Sequence, residues 1–375
     1  MIMNGGRDSS PPKALNNHRP MKKFLILILL VFGVVWFYFW YVRGVNILLR
    51  DAEEVYLPPY TSFAVRLQSG GAEDQQFSDI WSSAVAMPTP RTDVGAANVG
   101  DIIYVAGGID SFARVKDTVE AFDTSKNSWM TVAPLPQPLF NLALVTFDGK
   151  LYAIGGFDKL SQTPVDTVYV FNAEVGSWET KAPLPNAVGG AAAVVSDGKI
   201  HVLGGRLGTG IGDIHLIYDA ENDGWSYGEG LMGPRAFHGA AALEGRIIVF
   251  GGRSGSLAEN MRTVDELVDR ASNWESIGFM NSRRSSFGTV VFGGKVYAFG
   301  GETTTAAMDS AEIFDPASNT WTDLTPMPTG RHGVGAAAVG GRIFVIGGGR
   351  HAGISVSDAN EVFLPAAEFA EKEGE

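Results

Sequence analysis

Short apolar runs recur along this chain at a nearly constant interval, and each ends in the same two residues. Leu151, Tyr152, Ala153 and Ile154 lead into Gly155-Gly156, and Val296, Tyr297, Ala298 and Phe299 lead into Gly300-Gly301. Such runs, rich in β-branched and aromatic residues, predict buried strands. The doublets stand at Gly107-Gly108, Gly155-Gly156, Gly204-Gly205, Gly251-Gly252, Gly300-Gly301 and Gly347-Gly348, at intervals of 48, 49, 47, 49 and 47 residues. Trp81, Trp129, Trp178, Trp225, Trp274 and Trp321 keep the same intervals. Two residue classes locked to one period near fifty predict a radial β-repeat.

Each unit has one internal order. A strand of small residues comes first, as in Gly95-Ala96-Ala97 or Gly335-Ala336-Ala337-Ala338. A two-residue turn follows: Asp148-Gly149, Asp197-Gly198, Glu244-Gly245, Gly293-Gly294, Gly340-Gly341, and in reversed order Gly100-Asp101. Such pairs between strands predict primed hairpin turns. The apolar strand and doublet come next, then a variable loop. A third strand ends in Phe122-Asp123, Phe171-Asn172, Tyr218-Asp219 or Phe314-Asp315, with Val268-Asp269 as the weak copy, and a Trp opens the fourth. Small side chains on one strand per unit predict the innermost strand, where blades converge. No helical pattern follows any doublet, so none is a dinucleotide-binding loop.

Doublet, turn, third-strand aromatic and Trp together resemble the kelch repeat, over about residues 81 to 364. The resemblance implies an all-β fold, a six-bladed kelch β-propeller with four-stranded blades. Trp81 precedes the first doublet, and the last unit, Arg331 to Phe363, lacks a Trp after it. The strand around Trp81 is therefore expected to close the sixth blade, which removes two exposed edges.

Outside the repeats, Phe24 to Val42 is a run of 19 residues without charge. That length predicts a transmembrane helix, and the aromatic residues from Trp36 to Tyr41 fit an interfacial belt. No small-residue cleavage motif follows, so an uncleaved signal anchor is expected rather than a removed signal peptide. Arg7, Lys13, Arg19, Lys22 and Lys23 precede the span and place the N-terminus in the cytoplasm, with the propeller periplasmic or extracellular. The expected organisation is a basic segment at 1–23, the anchor at 24–42, a linker at 43–75, the propeller at 76–364 and an acidic tail at 365–375. The chain has no cysteine, which excludes a disulfide framework, and no Asn-x-Ser/Thr sequon. Both facts point to a bacterial or archaeal envelope.

Residues 1–50 hold seven Lys/Arg and one Asp, so of the 29 basic and 41 acidic residues the remainder keeps 22 and 40, a balance of −18. So acidic a portion argues against nucleic acid as a partner. Against that background, one repeat position stands out. Sixteen residues before the doublets lie Arg91, Leu139, Val188, Arg235, Arg284 and Arg331. The first two strands of a blade are antiparallel, so this position and the residues past the doublet share a rim. Arg206, Arg253, Glu302 and Arg350 lie past doublets, and His332 lies beside Arg331. In kelch propellers an Arg at the inner-strand start often contacts ligand, and the resemblance carries that role to Arg91, Arg235, Arg284 and Arg331. Converging guanidinium groups suit a carboxylate. Two readings stay open: these arginines bind ligand, or each pairs with a local carboxylate.

The expected function is binding of a protein or carbohydrate ligand at this rim, with no cofactor and no metal. The copper-radical oxidases of this architecture need a cysteine that is absent here, and no His spacing fits zinc or copper. The alternative is a carbohydrate epimerase or mutarotase resembling the sialic-acid mutarotases, with Glu302 as the acid-base group beside Arg284 and Arg331. His201 occupies a strand position held elsewhere by Tyr104, Tyr152, Tyr297 and Phe344, and is expected in the core.

Overall fold

The strand-turn-strand pattern of each unit folds into one antiparallel sheet, and the sheets stand around a common axis. The computed structural model describes residues 80–268 and 273–366. The expected basic segment, membrane span and linker, and the tail beyond Ala366, lie outside the described residues. Among the described residues no helix is long and apolar enough to cross a membrane, and the helical element is a 3-10 turn at Leu257–Glu259.

Six four-stranded sheets form the six blades. Blade 1 runs Gly95–Val99, Ile102–Ala106, Val119–Asp123 and Ser128–Thr131 from axis to periphery. Blades 2 to 5 repeat this order, beginning at Ala143, Ala192, Gly239 and Gly288. In blade 6 the inner strands are Gly335–Val339, Arg342–Ile346 and Asn360–Leu364, and the outermost is Ile80–Ser83. Trp81 pairs with Phe363 in that ladder. The expected splice of the two chain ends into one sheet is therefore present.

The small-residue strands are innermost and touch in a closed cycle, each against the first strands of both neighbouring blades. The second strands are buried almost throughout, as in Lys150–Ile154 and Arg342–Ile346, because each is packed on both faces. The hairpin turns behave as their residues predict: Asp148 and Gly149 have φ of 49° and 66°, Asp197 and Gly198 50° and 71°. In the reversed pair only Gly100 is left-handed, at 55°.

The Trp residues bind the blades to one another. Trp129 Nε1 donates to Val85 O at 2.8 Å, Trp178 to Ala133 O at 2.9 Å, Trp225 to Ala182 O at 2.9 Å, Trp274 to Glu229 O at 3.0 Å, and Trp81 to Thr325 O at 2.9 Å. Each acceptor follows the outer strand of the preceding blade. Trp321 is buried without such a bond.

One inter-blade junction is unlike the rest. Between blades 3 and 4 lie His201, His215 and His238. His201 is buried as expected, and its Nδ1 lies 2.8 Å from His215 Nε2. His215 Nδ1 lies 3.1 Å from Glu229 O, the carbonyl that also accepts from Trp274. Burial, with His201 adding repulsion, pushes His215 down to about 4. Burial, with Arg235 adding repulsion, pushes His238 down to about 3.

Both imidazoles are therefore held neutral in the folded state, while the unfolded chain protonates them near pH 6.5. Stability from this source is complete above that pH and is lost progressively as pH falls toward 4, by up to about 1.4 kcal/mol per pH unit for each group. Denaturant unfolding at pH 5 and pH 7.5 should show this slope. The variant His215→Val, His238→Val, which copies the apolar residues of other blades, should flatten it. An unchanged slope would contradict the assignment.

Candidate functional site

The repeated arginine position lies inside the blades, which corrects the expectation that it faces a ligand. Arg91, Arg235, Arg284 and Arg331 are at most 1% exposed. Each reaches back under its own doublet to a carboxylate on the third strand. Arg91 meets Glu120 at 2.9 Å and Arg331 meets Glu361 at 2.7 Å, while Arg235 bonds Asp265 and Arg284 bonds Glu312. Arg284 Nη1 also donates to Gly300 O and Ser310 O, each at 2.9 Å. Burial lowers all four guanidinium pKa values, and the paired carboxylates oppose that shift.

The register of the ladders shows that the pair is swapped as a unit. The second-strand residues Val105, Ala153, Val202, Val249, Ala298 and Val345 face Glu120, Tyr169, Leu216, Asp265, Glu312 and Glu361. Where the arginine gives way to Leu139 and Val188, the carboxylate gives way to Tyr169 and Leu216. A buried charge without a partner is costly, so the two positions change together.

Two residues after the arginine position the chain turns left-handed in every blade. Asp93, Asn141, Gly190, Phe237, Ser286 and Gly333 have φ of 56°, 48°, 63°, 55°, 56° and 59°. Their amides close a ring around the axis: Asp93 N donates to Gly333 O, Gly333 to Ser286, Ser286 to Phe237, Phe237 to Gly190, Gly190 to Asn141, and Asn141 to Asp93, at 2.7–2.9 Å. A second ring explains the doublets. The second glycine of each donates to the carbonyl at the next blade's arginine position, at 2.8–2.9 Å. A Cβ on Gly107, Gly155 or Gly300 would lie 2.2 Å from that carbonyl.

Above the first ring the axis opens into a cavity of 370 Å³ to which all six blades contribute. Its walls include the residues just past the doublets, among them Ile109, Arg206, Arg253 and Glu302, together with His332. Arg253 lies over the Phe237 ring at 4.1 Å and meets Glu302 at 3.4 Å. Glu302 also accepts from Ser286 Oγ at 3.2 Å and lies 3.9 Å from His332 Nε2. Arg206 is exposed and has no carboxylate partner among the described residues. Burial pushes the Asp93 carboxyl up, against the pull of His332, Arg253 and Asn141. No cluster of His, Asp and Glu among the described residues could hold a metal ion.

The cavity thus brings together Arg206, Arg253, Glu302 and His332 of the residues expected from sequence. It excludes the four clamp arginines. It also excludes Arg350, which is exposed on the blade 6 loop with Nε 3.4 Å from Ser357 Oγ. Glu302 does not serve Arg284 or Arg331, which are committed to Glu312 and Glu361. Sequence reasoning missed Asp93, Phe237 and Ser286. Their signal was a second six-fold register, rich in Asp, Asn, Ser and Gly, two residues after the first.

Residues 72–252 and 141–348 match the family model described as the KLHDC2/KLHL20/DRC7 Kelch-repeats domain. Kelch-like protein terF of Aspergillus terreus is 27% identical over 298 residues, 74% of this chain and 65% of that protein. Kelch-like protein 25 of Xenopus tropicalis is 27% identical over 250 residues, 64% of this chain and 42% of that protein. The chain therefore spans less than two thirds of the length of either relative. The solved structure of YjhT superposes with a TM-score of 0.66 over 78% of this chain and 99% of that one, at 17% identity, a likeness of fold.

The clamp assignment predicts unequal costs. Arg284→Leu should destabilise the propeller by roughly 3–5 kcal/mol, because Glu312 is left charged and buried. The double variant Arg284→Leu, Glu312→Leu, which copies the apolar pairs of blades 2 and 3, should recover most of that loss. Equal melting of wild type and Arg284→Leu would contradict the assignment.

Proposed function

The chain belongs to the kelch-repeat family, and on that premise we propose that it is a membrane-tethered binding module that takes a segment of a partner protein at the axial mouth. The observation that carries the reading is the exposed Arg206 beside the partly free Arg253 in one 370 Å³ cavity fed by all six blades. That size falls within the usual range for binding cavities. Both arginines belong to a portion of the chain whose charges balance to −18, the 22 basic against 40 acidic residues beyond position 50. Phe237 supports the same reading, because its ring lines the cavity and carries Arg253 at 4.1 Å. Ile80 pairs with Leu364 at the rim opposite the doublets, where the third strands end.

A carbohydrate is the weaker occupant. The face of Phe237 on which a sugar would stack carries Arg253 at 4.1 Å. Glu302, the acid-base group that an epimerase or mutarotase would need, is 8% exposed and already bonded to Ser286 and Arg253. The tether rests on the apolar run from Phe24 to Val42 and the basic residues before it.

Two experiments test the two halves. Full-length protein used as bait on solubilised membranes should retain a stoichiometric protein partner. Arg206→Ala, at an exposed side chain, should weaken retention without a change in melting temperature. Adding Arg253→Ala should abolish it in protein that still unfolds cooperatively, at some cost in stability because Glu302 loses its partner. Retention that ignores both changes would reject the mouth, and saturable binding to a glycan array in its place would favour the carbohydrate reading. For the tether, the absence of native cysteine makes single labels clean. Ser10→Cys should resist a membrane-impermeant thiol reagent in intact cells, and Ala370→Cys should react. Labelling at position 10 would reject the proposed topology.

A further inference from the structure

The mouth is not uniform around its circumference, and the asymmetry repeats at two heights. At the first residue past the doublets, blades 1 to 6 present Ile109, Phe157, Arg206, Arg253, Glu302 and Gly349. Blades 1 and 2 are apolar there, and Ile109, Phe157 and Phe140 pack in one cluster with Phe237. Blades 3 to 5 are charged. Three residues further on, at the loop tips, the order is Phe112, Leu160, Thr209, Ser256, Thr305 and Ala352. Again blades 1 and 2 are apolar and blades 3 to 5 polar. Phe112 is 75% exposed and Leu160 44%, and on the adjoining blade 6 loop Ile354 is 59% exposed. Leu160 and Ile354 both line the cavity.

The charges are divided in the same way. On blades 1 and 2 the loop cations are matched locally, Arg114 with Asp110 at 2.7 Å and Lys159 with Asp158 at 3.4 Å, while Arg350 of blade 6 lies outside the cavity against Ser357 Oγ. On the polar side Arg206 has no carboxylate partner among the described residues, and the one carboxylate contact of Arg253 is at 3.4 Å. An exposed apolar sector facing an under-neutralised basic sector is costly to leave open to water on one side and electrostatically incomplete on the other.

We infer that the mouth reads polarity: it takes an extended protein segment that carries a carboxylate next to large apolar side chains, with the carboxylate on blades 3 and 4 and the apolar side chains on blades 6, 1 and 2. This rests on the axial-mouth reading above and adds the orientation and chemistry of the segment. A guanidinium fork recognises a carboxylate in a fixed plane, which sets the direction of the chain. The apolar side chains then supply the buried anchors that dominate most interfaces. Burial, with Glu302 adding repulsion, raises the Asp93 carboxyl at the cavity floor.

The test is selection of a random dodecapeptide library on immobilised full-length protein in detergent micelles, with affinities then measured by fluorescence polarisation. Enriched peptides should carry Asp or Glu within a few residues of Leu, Ile, Phe or Met. Arg206→Ala with Arg253→Ala should weaken them at least tenfold and remove most of the salt dependence of binding. Phe112→Ser, Leu160→Ser and Ile354→Ser together should weaken them by about tenfold and keep the salt dependence. These three side chains are exposed, so an unchanged melting temperature is expected as a control. Acidic peptides that need the two arginines but ignore the apolar triple change would overturn the polarity and leave the mouth standing. Basic peptides, peptides indifferent to both variants, or no enrichment at all would overturn the polarity and the mouth together.

Discussion

A head-to-tail ring of six main-chain hydrogen bonds around the axis is the constraint on which the rest of the propeller depends. Each bond is worth roughly 0.5–1.5 kcal/mol net, but the ring acts chiefly through geometry. To join it, Asp93, Asn141, Gly190, Phe237, Ser286 and Gly333 all adopt positive φ. That turn directs the chain down the axis as the small-residue strand, and it fixes the carbonyl two residues earlier where the neighbouring doublet can reach it. The doublets follow from that close approach, since a side chain on the first glycine would collide with the carbonyl. The arginine clamps lie one layer further in. They fill the space beneath the doublet and tie the start of the first strand to the third.

This order separates what holds the blades from what lines the cavity. The arginines two residues before the ring point into the blade, and the first residues past the doublets of blades 1, 3, 4 and 5 line the cavity. Arg284 and Arg253 carry the same group with opposite roles: the first is fully buried on Glu312, the second lies at the cavity wall over Phe237. The closing strand adds a topological consequence. Because Ile80–Ser83 completes blade 6, the described propeller strands begin and end at the far rim, and the cavity is walled by the segments that connect blade strands, including the short pairs at Ile109 and Arg206. Loops carried on a rigid scaffold are where binding residues can vary without cost to the fold.

Much of this was legible in the sequence. The blade count, strand order, turns and the role of Trp81 follow from period and register, because a repeat must satisfy the same geometry six times. The arginines were misassigned because register locates a Cα on a rim and says nothing of where the side chain points. The missing information was also in the repeats: Tyr169 and Leu216 stand where Glu120, Asp265, Glu312 and Glu361 stand, in the two blades that lack the arginine. A position whose charge vanishes together with that of another position is paired with it. The His201–His215 contact, by contrast, has no counterpart in the other units, so the repeat could not have revealed it. The mouth was half legible: Arg206, Arg253, Glu302 and His332 converge as expected, and Phe237 entered unannounced.

Native-state hydrogen exchange of the six ring amides tests the account most directly. If the ring is the common constraint, the amides of Asp93, Asn141, Gly190, Phe237, Ser286 and Gly333 should exchange only through the opening of the whole propeller, with one shared free energy at the top of the measured range. Exchange of one or more of them through independent local openings, far faster than the second strands of the same blades, would contradict it.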